Sequence, residues 1–92
     1  MGNVTVVVPP SIRHLVGGRA RVPVQARTVR GALDALTSGS DSLRAQLFDR
    51  SDKLNRFVRV FVDGESLPIG SRAEEKVDDG AVVTILLALA GG

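Results

Sequence analysis

At 92 residues, 43% hydrophobic and 24% charged, the chain fits one globular domain with a modest core and hardly leaves room for two. It contains no cysteine, which excludes a disulfide framework, a thiolate metal site, a thiol nucleophile and sulfur carried on a side chain. The net charge is only +2 despite a pI near 9.9, and with no Tyr or Trp the basic stripe with stacking aromatics of a nucleic-acid binder is missing.

Asn3–Val8 is β-branched almost throughout and runs into Pro9-Pro10, so it reads as a first strand with Val4, Val6 and Val8 on one face. Ser11–Val16 is a connection without a clear period, and Gly17-Gly18 marks a turn. Arg19–Gln25 then alternates, with Ala20, Val22 and Val24 on one side. Pro23 has no N–H to donate, so this second strand belongs at an edge or turns that position outward. The two strands together read as an N-terminal hairpin. Arg19, Arg21, Arg27 and Arg30 form a loose basic group, either a solvated face or a docking surface for an acidic partner.

Thr28 is placed to cap a helix beginning at Val29, whose buried face is Val29, Ala32, Leu33 and Leu36. Ser38-Gly39-Ser40 ends it, and Asp41 or Ser42 opens a shorter helix through Phe48, with Leu43 and Leu47 on its apolar side. Residues 49–53 are a polar loop. Phe57–Val62 is the clearest strand, followed by a tight turn at Asp63-Gly64. Leu67–Gly70 suggests a short strand or turn, Ser71–Val77 a helical turn, and Asp78-Asp79-Gly80 a reverse turn. Ala81–Leu87 is the final strand, with Val83, Ile85 and Leu87 on one face. No apolar run reaches the roughly 20 residues of a membrane helix, and no secretory signal pattern is present. A cytoplasmic location without membrane contact is expected.

The order β-β-α-β-β with a short helical insert predicts an α+β roll, one helix over a mixed sheet. The first and last strands are the most apolar, which suits central positions paired in parallel. Residues 1–87 form the expected domain, and residues 88–92, Ala-Leu-Ala-Gly-Gly, the expected flexible tail.

A roll of this size ending in two glycines resembles the ubiquitin-like β-grasp superfamily, and more narrowly the MoaD/ThiS family of sulfur carrier proteins. The residues that carry the likeness are Arg56–Gly64, the Asp78-Asp79-Gly80 turn and Val83–Gly92. The length of the segment between Ser38 and Arg56, with the Ala90-Gly91-Gly92 ending, is most similar to the CysO branch, whose carriers deliver sulfur to a cysteine-synthase-like enzyme. The tail departs from relatives in two ways. It lacks the arginines that flank the ubiquitin tail, which speaks against lysine tagging, and the proline pair often found before the glycines of molybdopterin-type carriers.

The resemblance implies a protein co-substrate rather than an enzyme. An ATP-dependent activating enzyme adenylates the Gly92 carboxylate, a sulfur donor displaces AMP, and the resulting thiocarboxylate is passed to a sulfur-accepting biosynthetic enzyme. Cysteine synthesis ranks first among the recipients, then molybdopterin, thiamin and sulfur-containing secondary metabolites. The carrier itself would bind no cofactor or metal, ATP and magnesium belonging to the activating enzyme. This agrees with the lack of a phosphate-cradling loop, since no Lys-Ser or Lys-Thr follows Gly17-Gly18.

Leu89, Ala90 and Gly91 would be the tail-recognition residues, glycine being able to pass a narrow channel in conformations other residues avoid. Five extended residues reach about 17 Å, enough to enter a buried site. Because one helix covers only one side of the sheet, Phe57, Arg59, Phe61 and Leu86 are expected on the open side as a partner-docking patch. The single histidine, His14, supports no dyad or multi-histidine metal site. Asp78-Asp79-Gly80 lacks the alternating oxygen ligands of a calcium loop, and the serines have no identifiable base partner. Two other functions fit the same chain: a ubiquitin-like modifier conjugated through Gly92, and a non-covalent interaction domain.

Overall fold

The computed structural model describes residues 2–88. It contains strands β1 (Gly2–Val7), β2 (Arg21–Ala26), β3 (Val58–Val62), β4 (Glu65–Ser66) and β5 (Val82–Leu87), and helices α1 (Val29–Thr37) and α2 (Asp41–Leu47). The strands form one sheet in the order β2-β1-β5-β3-β4. β1 and β5 are parallel and central, and the other pairs are antiparallel. This is the ubiquitin-like β-grasp arrangement expected from the order of elements, and the two most apolar strands hold its middle.

One face of the sheet is closed. Val4 and Val6 of β1, Val58 and Val60 of β3, and Val83 and Ile85 of β5 are buried against Val29, Ala32, Leu33 and Leu36 of α1 and Leu43 and Leu47 of α2. The registers Val6↔Val83 and Val60↔Ile85 carry this layer across three strands. Alternation of period two then sends Thr5, Val7, Arg59, Phe61, Thr84 and Leu86 to the other, uncovered side.

α1 starts as the sequence suggests. The Thr28 Oγ1 accepts from the Gly31 N–H at 2.9 Å. The two preceding N–H groups, of Val29 and Arg30, donate to the carbonyls of Glu75 and Ala73 at 2.9 and 2.7 Å. Segment 73–77 is therefore an extended strap across the helix N-terminus, bridged at Thr28↔Lys76, and the helical turn expected at Ser71–Val77 does not form. Ala73, fully buried with φ of +59°, turns the chain so that these carbonyls meet the orphan donors of α1.

Smaller departures have local causes. The Ser11–Val16 connection is a 3₁₀ helix, Pro10–Val16, with proline at its start and Gly17 at φ +69° closing it. α2 is capped by Ser40, whose side chain accepts from Leu43 N–H at 3.2 Å, and ends at Leu47, leaving Phe48 extended. The fourth strand is Glu65–Ser66, and Leu67–Gly70 is a turn beyond it. Pro23 lies on β2 at the sheet edge, where its missing N–H costs no ladder bond. Asp63 and Gly64, at φ +48° and +89°, make the two-residue hairpin turn between β3 and β4.

Candidate functional site

β5 is the element that delivers the chain to its C-terminal residues. It is clamped between β1 and β3, and one further bond continues the ladder, from the Ala88 N–H to the Phe57 carbonyl at 2.7 Å. Leu89, Ala90, Gly91 and Gly92, expected to form the reactive tail, lie outside the described residues.

Around that exit the uncovered face gathers the four residues assigned to docking. Leu86 pairs with Arg59, and Thr84 with Phe61. Leu86 is 48% exposed and Phe57 40% exposed, while Phe61 and Arg59 are half-buried. The Arg56 guanidinium lies 5.0 Å from the centroid of the Phe57 ring, and Arg59 Nη1 donates to the Arg56 carbonyl at 3.1 Å. Both arginines are thus held beside apolar surface with charge left at the rim. Ile69, the other strongly exposed large apolar residue, sits in the turn after β4.

A second group escaped the sequence reading. Arg30 Nη2 meets Asp52 Oδ1 at 2.8 Å, and Arg44 Nη1 meets Asp34 Oδ1 at 2.9 Å. The guanidinium carbons of Arg30 and Arg44 lie 4.8 and 5.0 Å from the ring centroid of buried Phe48. The Asp52 carboxyl is held below its ordinary value by its hydrogen bond with Arg30, and Arg44 is raised by its bond with Asp34. This clasp ties α1, α2 and the 49–53 loop together. Its sequence signal was thin: Arg30-Asp34 has helical i,i+4 spacing, but Arg44 and Asp52 join only through the fold. Arg30 consequently leaves the loose basic group, with Arg19, Arg21 and Arg27 remaining exposed.

Nothing else among the described residues builds a reaction centre. No group of three or more His, Asp or Glu side chains could hold a metal ion, His14 is exposed, and the leading N–H groups of α1 are already bonded. Among the described residues no helix is long and apolar enough to cross a membrane.

Comparison with known proteins gives this geometry a context. A model of the ThiS family matches residues 6–92. The chain is 34% identical over 92 residues to the sulfur carrier protein CysO of Mycobacterium tuberculosis, covering 98% of this chain and 99% of that one. Among solved structures, the Amycolatopsis orientalis BexX/CysO complex contains a chain 36% identical, with a TM-score of 0.85 over 97% of this chain and 99% of that one. The small archaeal modifier protein 1 of Methanosarcina acetivorans reaches a TM-score of 0.83 at 21% identity, over 100% and 98% of the two chains. That likeness speaks for the fold alone.

Proposed function

This chain belongs to the ThiS family of sulfur carriers, and we propose that its Gly92 carboxylate is the group that carries the sulfur. The observation that supports this most is the match to CysO over 98% of this chain and 99% of that one. In the proposed cycle the carboxylate attacks the α-phosphorus of ATP on an activating enzyme, giving an acyl-adenylate and pyrophosphate. A sulfur nucleophile then adds to the acyl carbon and expels AMP, leaving a thiocarboxylate.

The chain's own contribution is to present and orient. Clamped β5 is a rigid base, and residues 89–92 span at most about 14 Å from it, so the roll stays outside the partner while Gly92 enters. Leu89, Ala90 and Gly91 would line the partner's channel. Phe57, Arg59, Phe61 and Leu86 would form the docking face, recommended by the exposure of Phe57 and Leu86 and by the place of half-buried Arg59 and Phe61 on the same uncovered side. A cysteine-synthase-like enzyme is our first choice of sulfur acceptor, on the likeness to CysO.

Intact mass spectrometry tests the reading. The chain incubated with ATP, magnesium, a sulfide source and an activating enzyme should gain about 16 Da, oxygen replaced by sulfur, confined to the C-terminal peptide. A variant lacking Gly92 should gain nothing. No gain with an activating enzyme shown to work on another carrier would overturn the proposal and favour a non-covalent docking role.

A further inference from the structure

The sheet register sorts charge along the strands. At the end where β5 leaves the sheet stand Arg21, paired with Val7 on β1, and Arg59, paired with Leu86 on β5. Arg19 precedes β2 at that end, and Arg56 precedes β3. The uncovered positions of the four longer strands, among them Thr5, Val7, Arg21, Pro23, Gln25, Arg59, Phe61, Thr84 and Leu86, include no carboxylate.

The carboxylates of this sheet sit at the other end. Asp63 Oδ1 accepts from the Val82 N–H at 2.9 Å, and Asp79 Oδ1 from the Asn3 N–H at 2.7 Å. Asp78 and Glu65 flank them. Six residues of β5 separate the ends, about 20 Å at strand rise. That is more than two Debye lengths at physiological ionic strength, about 8 Å each, so the two poles act separately on an approaching partner. Among the described residues the ion pairs are those of Arg30 and Arg44 with Asp34 and Asp52, and none neutralises the exit end.

We propose that Arg19, Arg21, Arg56 and Arg59 are an electrostatic guide that brings the exit end first onto an activating enzyme whose tail channel opens through a rim of carboxylates. The guide does not touch the chemistry. These arginines belong to the folded sheet and its turns, and about 14 Å of chain can lie between Ala88 and the reacting carboxylate. They therefore act on encounter and orientation, at the channel mouth, and the acidic pole disfavours the reversed approach by like-charge repulsion.

The inference rests on the sulfur-carrier reading, and one experiment separates the two. Rates of thiocarboxylate formation would be measured by mass spectrometry with the activating enzyme over carrier concentration, at 50 and 500 mM NaCl. The carriers are wild type, the exit-end double variant Arg56→Glu/Arg59→Glu, and the control Arg27→Glu/Lys76→Glu, which changes net charge equally at the opposite end, where Lys76 bridges to Thr28 and Gly2 pairs with Ala26. At low salt the exit-end variant should raise KM about tenfold or more with kcat unchanged, and high salt should close the gap. The control should move KM less than about twofold. Arg19→Gln/Arg21→Gln, just before and at the start of the edge strand β2, repeats the test with no charge reversal and should raise KM in the same salt-dependent way. Equal effects of exit-end and control variants, or a KM defect that persists at 500 mM salt in both exit-end pairs, would overturn the guide. A wild-type chain that gains no sulfur would overturn the carrier reading instead.

Discussion

Ile85 and Leu86 are sequence neighbours with opposite duties. Ile85 is fully buried between β1 and β3, while Leu86 is 48% exposed on the open face. Ile85→Ala should cost about 2–5 kcal/mol, the transfer term plus an unfilled cavity, read as a lower urea midpoint. Leu86→Ala should stay within about 0.5 kcal/mol of wild type and instead raise the KM for the activating enzyme. A loss of stability at Leu86 with unchanged kinetics would remove it from the docking face. The split between these residues was legible in the sequence, because Val82–Leu87 alternates in a strand and one helix covers one side. The close approach at Gly2 was not. A Cβ there would come within 2.9 Å of the Asp79 Cα, a contact between residues far apart in the chain and invisible to any local pattern.

At the scale of elements, α1 and its Thr28 cap followed from spacing alone, while what surrounds α1 did not. The 73–77 strap satisfies the helix N-terminus with backbone carbonyls, a pairing between segments about 45 residues apart. A Ser-Arg-Ala-Glu-Glu stretch has good helix formers and reads as a helical turn until that non-local demand is known. The clasp around Phe48 is the same case: its charges come from α1, α2 and a loop, and only packing assembles them. Because folding lowers the Asp52 carboxyl, the clasp stabilises above the unfolded carboxylate value and the contribution fades as pH falls through the folded one. Asp52→Asn keeps a residue tolerant of the local φ of +64°. It should lower the melting temperature at pH 7, with the difference from wild type closing below about pH 4. The exposure of Asp52 makes the shift small and reduced by salt. Phe48→Ala, which empties the centre of the clasp, should cost about 3–5 kcal/mol at both pH values. A pH-independent deficit in Asp52→Asn would mean that the ion pairs contribute nothing.

For the whole molecule, the topology makes the segment leading to Gly92 the one the fold most depends on. β5 joins the β2-β1 half of the sheet to the β3-β4 half, with Val83 and Thr84 paired on both sides and Ile85–Leu87 paired to β3, so the chain is held to the sheet up to its end and residues 89–92 follow from that base. A carrier needs this combination, because a handle that yields under docking would waste the binding energy that positions Gly92. The boundary can be located by shortening the chain. Among the described residues, removing residues 88–92 takes away the exposed Ala88 and its hydrogen bond to Phe57, at a cost of about 0.5–1.5 kcal/mol. That variant should keep the circular dichroism and a cooperative melt of the full chain while accepting no sulfur. Removing residues 85–92 deletes Ile85 and half of the strand that joins the sheet, which should leave a chain with no cooperative melt. If the shorter deletion also unfolded, the tail would belong to the domain and could not enter a partner without melting its own base. If both deletions folded, the two halves of the sheet would be held by the helices, and β5 would be a connector rather than the keystone on which presentation of Gly92 depends.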